Sequence, residues 1–131
     1  MMEALLKKLE SLVGTDDFDY ESEEIMEQLE EAGAGQEIIA DLLGIMERHP
    51  LDDFGMPGAM VHFIERFHPA HLPLLSASLR RAPALSTVWM LSRCINGGVQ
   101  AAEGTALLSE IAGNAQLDPA IRDLANSFLN R

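Results

Sequence analysis

The chain has 131 residues, of which 47% are apolar and only 5% aromatic, and its 21 Asp and Glu against 9 Lys and Arg give a formal net charge of −12. The apolar fraction excludes a disordered chain, the charge excludes direct binding to nucleic-acid phosphates, and a lone cysteine, Cys94, excludes an intramolecular disulfide. The length suits a single domain over residues 1–131, with a core of Leu, Ile, Ala and Met rather than of rings.

Apolar residues recur at helical spacing along the whole chain. Met2, Leu5, Leu6, Leu9, Leu12 and Val13 make one stripe, and Gly14 can end that helix in a left-handed conformation. Asp19 is the expected N-cap of a helix over 20–32, with Ile25, Leu29 and Ala32 inward and Glu23, Glu27, Glu30 and Glu31 outward. A helix over 36–48 has a very wide apolar face from Ile38, Ile39, Leu42, Leu43, Ile45 and Met46, and His49-Pro50 closes it. Pro57 suits the first turn of the next helix, whose stripe is Met60, Val61, Ile64 and Phe67.

Pro69 separates that helix from one near 70–81, with Leu72, Leu75 and Leu79 inward. Pro83 starts another, carrying Leu85, Val88, Leu91 and Ile95 with Met90 and Cys94 beside them. So much apolar surface marks it as central, and Gly97-Gly98 closes it. Leu107, Leu108, Ile111 and Ala112 mark a seventh helix. The last has Asp118 as cap, Pro119 in its first turn, and Ile121, Leu124, Ala125, Phe128 and Leu129 inward. No alternating run supports a strand.

Leu42-Leu43, Leu74-Leu75 and Leu107-Leu108 lie 32 and 33 residues apart, and Pro50 and Pro83 lie 33 apart. That period predicts stacked antiparallel hairpins over about 2–32, 36–67, 70–97 and 101–130. The expected fold is therefore all-α, about eight helices in a short solenoid or a compact helical bundle; coincidence among leucine-rich helices is the competing account of the period. The segment from Leu107-Leu108 through Asp118-Pro119-Ala120-Ile121-Arg122-Asp123-Leu124-Ala125 resembles a HEAT-type repeat, in which the Asp and Arg are structural. The resemblance implies that Asp118 and Arg122 stabilise packing.

Charge is distributed unevenly. Residues 1–53 hold 16 of the acids with only Lys7, Lys8 and Arg48, a net charge near −13, whereas residues 54–131 hold 5 acids and 6 arginines, near +1. Asp16, Asp17, Asp19, Glu21, Glu23, Glu24, Glu27, Glu30 and Glu31 crowd one loop and one helix without local basic partners. Such a run is either a solvated face that keeps the protein soluble or a surface that steers a basic protein. An ordinary exposed helix would pair its charges at four-residue spacing, and this one does not. Asp52 and Asp53 extend the acidic set. A calcium loop is excluded because its sixth-position glycine and full ligand series are missing.

The remaining chemistry is sparse. His49, His62, His68 and His71 fall within 23 residues. His62, Glu65 and His68 share a side if one helix carries all three, so a metal-dependent enzyme is a third functional reading, against surface and capping histidines. A carboxylate-bridged di-iron centre needs a second Glu-x-x-His, which is absent. Cys94 packs as a small hydrophobe on an apolar helix. No nucleophile elbow, phosphate loop or dinucleotide fingerprint occurs, so no cofactor is expected. Ser86, Trp89, Arg93 and Asn96 form the polar side of their helix, with Arg93 stacked on Trp89. They are either a binding anchor or a core tryptophan beside a paired arginine.

Residues Pro57 to Glu65, Leu74 to Arg81 and Thr87 to Asn96 resemble small all-α immunity proteins of bacterial polymorphic toxin systems, including those of contact-dependent growth inhibition. The likeness spans roughly residues 40–97. It implies a non-enzymatic cytoplasmic antidote that occludes one cognate toxin domain; no basic leader or membrane-length apolar run argues otherwise. The partner-binding residues expected on this reading are Asp16, Asp17, Asp19, Glu23, Glu24, Glu27, Glu30, Glu31, Asp52 and Asp53, facing a basic toxin such as a nuclease, with Trp89 and Arg93 as the specific anchor. The alternative is a HEAT-like adaptor or assembly factor with a housekeeping partner.

Overall fold

The computed structural model describes residues 2–55 and 58–130. Among these are eight α-helices and no strand: α1 (Met2–Ser11), α2 (Phe18–Glu31), α3 (Ile39–Arg48), α4 (Gly58–Glu65), α5 (Leu72–Arg81), α6 (Leu85–Asn96), α7 (Ala101–Ala112) and α8 (Pro119–Leu129). A short 3-10 turn, Gln36–Ile38, leads into α3, so the expected helix over 36–48 begins as a tighter turn. Pro57, expected in the first turn of α4, lies outside the described residues. No described helix is long and apolar enough to cross a membrane.

The core is continuous and largely aliphatic. Leu9 of α1, Ile25 and Leu29 of α2, five residues of α3, and Met60, Val61, Phe63 and Ile64 of α4 join Leu75, Val88, Met90, Leu107, Ile111 and Ile121 in one buried cluster. The packing follows the expected pairs at α1/α2, α5/α6 and α7/α8. Alternate helices also pack, α2 on α4, α1 on α3, α3 on α5 and α6 on α8. The hairpin expected over 36–67 is different: α3 and α4 make no comparable contact with each other. Their connector is long, and it folds inward to bury Phe54. This separates the two helices and lets each pack on an alternate neighbour.

Two ion-pair clasps hold α3 in place. Glu10 of α1 accepts hydrogen bonds from Nε and Nη2 of Arg48, both at 2.8 Å, and contacts His49 Nε2 at 2.9 Å. Glu47 accepts from Arg81 of α5 at 2.9 and 2.5 Å and from the buried Ser78 hydroxyl at 2.7 Å. The guanidinium partners, Arg48 and Arg81 respectively, hold both carboxyls below the ordinary carboxylate range.

Helix ends follow local chemistry with one correction. Asp118 caps α8 by accepting from the Ala120 N–H at 2.9 Å, as expected. Asp19 does not cap α2. That helix starts two residues earlier, at Phe18, with Asp17 in the cap position and no side-chain cap bond. Burial of Phe18 in the core extends the helix backwards, and Asp19 becomes a first-turn acid stabilised by the positive helix end.

Gly104 of α7 permits the closest approach to α6. A Cβ there would lie 2.8 Å from Ile95 Cγ1, 3.2 Å from Ile95 Cδ1 and 3.4 Å from Leu91 Cδ1. Gly104→Ala therefore forces α6 and α7 apart. Urea unfolding should show a loss of about 1–3 kcal/mol despite the better helix propensity of alanine.

Candidate functional site

Helix α2 is divided by its own spacing. Phe18, Ser22, Ile25, Met26 and Leu29 turn into the core, which sends Asp19, Glu23, Glu24, Glu27 and Glu31 into solvent. Asp16 and Asp17 precede the helix and are also exposed. Ala32, expected in the buried stripe, is only half-buried, because Phe18 and Met26 rotate the inward face.

The connector after α3 brings the second acidic group to the first. Phe54 is 3% exposed, and its ring meets that of Phe18 edge-on with centroids 5.8 Å apart. Asp53 Oδ1 accepts from the Gly55 N–H at 2.9 Å, and the Asp53 carbonyl accepts from the Ser86 hydroxyl at 3.4 Å. Gly55 has φ of 83°, and a Cβ there would sit 2.9 Å from Asp19 Oδ1, so glycine lets the connector close on α2. The result is a concavity of about 320 Å³ where Asp16, Asp19, Asp52 and Asp53 converge around Phe18 and Phe54.

The ion-paired basic side chains are engaged with other carboxylates. The ion pairs among the described residues are Arg48 and His49 with Glu10, Arg66 with Glu30, Arg81 with Glu47, and Arg93 with Glu65. Asp16, Asp17, Asp19, Glu23, Glu24, Glu27, Glu31, Asp52 and Asp53 take part in none of them. Glu30 is the exception in the expected set. It points towards α4, where Arg66 neutralises it, so it serves packing between α2 and the end of α4.

Sequence reasoning passed over two exposed apolar side chains in this region. Tyr20 is 70% exposed and Leu51 is 51% exposed, and they adjoin Asp19 and Asp52 in the chain. The available signal was position: Tyr20 falls on the acidic side of α2, where burial gives no reason for an aromatic ring.

The expected polar stripe of α6 divides into separate environments. Arg93 Cζ lies 4.9 Å from the Trp89 ring centroid, as its four-residue spacing predicts. Its Nε lies 3.2 Å from Glu65 Oε2. Trp89 is half-buried against the core, whereas Ser86 is fully buried and cannot join an exposed stripe. Neither Trp89 nor Arg93 lines the acidic concavity, so the two halves of the expected partner-binding set are not brought together there.

His62, Glu65 and His68 do not form one helical side. Helix α4 ends at Glu65, and a tighter turn follows, with the His68 N–H donating to the Glu65 carbonyl at 3.2 Å. Among the described residues no group of three or more His, Cys, Asp or Glu is arranged to hold a metal ion. Burial first, and then the Glu65 charge, pushes the Cys94 thiol up, away from nucleophilic reactivity.

Comparison with protein-family models, curated proteins and solved structures finds no match.

His71 gives this half of the molecule a pH response. It is 2% exposed, and burial, followed by the neighbouring His68, lowers its pKa from the ordinary value of 6.5. The unfolded chain therefore takes up this proton first. Stability is full above 6.5 and falls as pH drops below that value, well before the clasping carboxylates of Glu10 and Glu47 titrate. Thermal melts from pH 8 down to pH 5.5 should show a declining midpoint, and His71→Leu should flatten the decline.

Proposed function

We propose that this chain is a non-enzymatic inhibitor, an immunity protein that captures one basic toxin domain on its acidic face and occludes it. The observation that carries the reading is the acidic set of α2 and the 51–55 connector. Nine carboxylates face solvent or the concavity, and among the described residues no arginine or lysine pairs with them. Concentrating like charge in this way opposes folding by self-repulsion, and a cationic partner relieves it.

Each part of the surface has a role in capture. The negative field steers a basic protein and accelerates encounter. Tyr20 and Leu51 supply apolar area that is desolvated on contact, and tyrosine is a side chain enriched at binding hot spots. The clasped, close-packed helices hold this surface in one shape, which limits the ordering entropy lost on binding. A nuclease domain, whose own substrate is polyanionic, presents the kind of cationic face that fits.

The reading expects a secreted protein with a variable C-terminal domain to be encoded beside this chain, and that domain is the partner for the test. Co-expression should rescue cells from that domain, and failure to rescue removes the immunity reading. In stopped-flow experiments, association should slow steeply with added salt. E23K/E24K/E27K should slow it by about tenfold or more at low ionic strength, with helical content unchanged. Glu30 is left intact because it pairs with Arg66. Unchanged association in the triple variant would remove the acidic face from the mechanism.

A further inference from the structure

The connector after α3 holds a backbone conformation that one of its residues does not favour. Phe54 has φ of 54°, in the left-handed region, and Gly55 follows at 83°. Glycine adopts that region freely, whereas a bulky L side chain does so rarely, and such outliers gather at clamps and switches. Gln100, the other non-glycine residue of this kind among those described, is exposed; Phe54 is buried.

Like charge adds to the strain. With Phe54 seated on Phe18, the Asp52 carboxylate lies 3.9 Å from where a Cβ of Gly14 would stand, and Asp19 Oδ1 lies 2.9 Å from where one of Gly55 would stand. Asp52 and Asp53 thus close against Asp16 and Asp19, and no ion pair among the described residues neutralises the four.

Burial of the ring opposes both effects, since Phe54 is 3% exposed. Two hydrogen bonds among the described residues tie the connector to α6. The Leu85 N–H donates to the Pro50 carbonyl at 2.8 Å, and the Ser86 hydroxyl donates to the Asp53 carbonyl at a longer 3.4 Å. Leu85 is the first residue of α6, so its N–H has no acceptor within the helix and reports on the connector alone.

We propose that residues 50–55 form a latch, which unseats from Phe18 and α6 without unfolding the helices and which positive charge at the concavity drives shut. Closed, it completes the acidic concavity. Open, it releases the left-handed backbone at Phe54 and parts the two acidic pairs. A basic protein on the acidic face would stabilise the closed form, so capture and closure are coupled. That coupling rests on the capture proposed above; the latch itself does not.

Amide hydrogen exchange of the protein alone, at pH 7, therefore tests the latch separately from capture. Leu85 is compared with Leu91, inside α6. Leu85 should exchange faster than Leu91 by about tenfold or more, as a locally opening segment does. Raising sodium chloride from low to high concentration should increase Leu85 protection by about threefold through screening. Asp52→Asn with Asp53→Asn should show the raised protection at low salt and lose the salt response; asparagine keeps an acceptor for the Gly55 N–H. Gly55→Ala places a Cβ at a left-handed position and should lower Leu85 protection by about fivefold, with Leu91 unchanged. Equal exchange at Leu85 and Leu91 overturns the proposal, because the connector would then open only with the whole fold. Protection of Leu85 that ignores salt, or that falls in the Asn pair, overturns it as well. So does an equal fall at both amides in Gly55→Ala.

Discussion

The structure is organised around the anchoring of α3. Five of its ten residues are buried, and their face is too wide for one neighbour to cover. It is covered by α1, α5 and α6, and the polar edges are clasped by Glu10–Arg48 on one side and Glu47–Arg81 on the other. These clasps join helices far apart in the chain, and the Glu47 clasp also satisfies the buried Ser78 hydroxyl. Exposed ion pairs contribute little by themselves. Their consequence here is one of allocation, since each arginine held at α3 or α6 is unavailable to neutralise the outer side of α2.

That allocation turns composition into a surface. Had Arg66 or Arg81 reached the outer side of α2, the acidic run would be an ordinary paired helix face. Instead Arg66 takes only Glu30, at the boundary with α4. The inward turn of Phe54 does the rest. By packing on Phe18 it moves Asp52 and Asp53 beside Asp16 and Asp19, and an acidic stripe becomes an acidic concavity. A single aromatic contact in a chain poor in aromatics thus shapes the electrostatic field.

Much of the fold was legible because helix periodicity and punctuation agree. The stripes of α3, α7 and α8, the Asp118 cap and the left-handed Gly14 all follow from local rules. Local rules failed where a long-range contact decided the outcome. Phe18 drew the start of α2 back past Asp19. The end of α4 at Glu65 took His68 out of register with His62. Ser86, placed by its spacing on the polar side of α6, is buried instead, where the Asp53 carbonyl accepts its hydroxyl. Tyr20 was overlooked because an exposed ring leaves no mark in a periodicity that records burial.

The sequence by itself determined that the chain is helical, where its helices lie within a few residues, and that negative charge gathers in its first 53 residues. These are consequences of nearest-neighbour spacing and of counting. Only the tertiary structure decided which carboxylates remain unpaired and which two loops meet at the concavity. The reason is geometric. A guanidinium finds its carboxylate across tens of residues of chain, and the packing of one helix on another sets that distance, while periodicity within either helix carries no information about it.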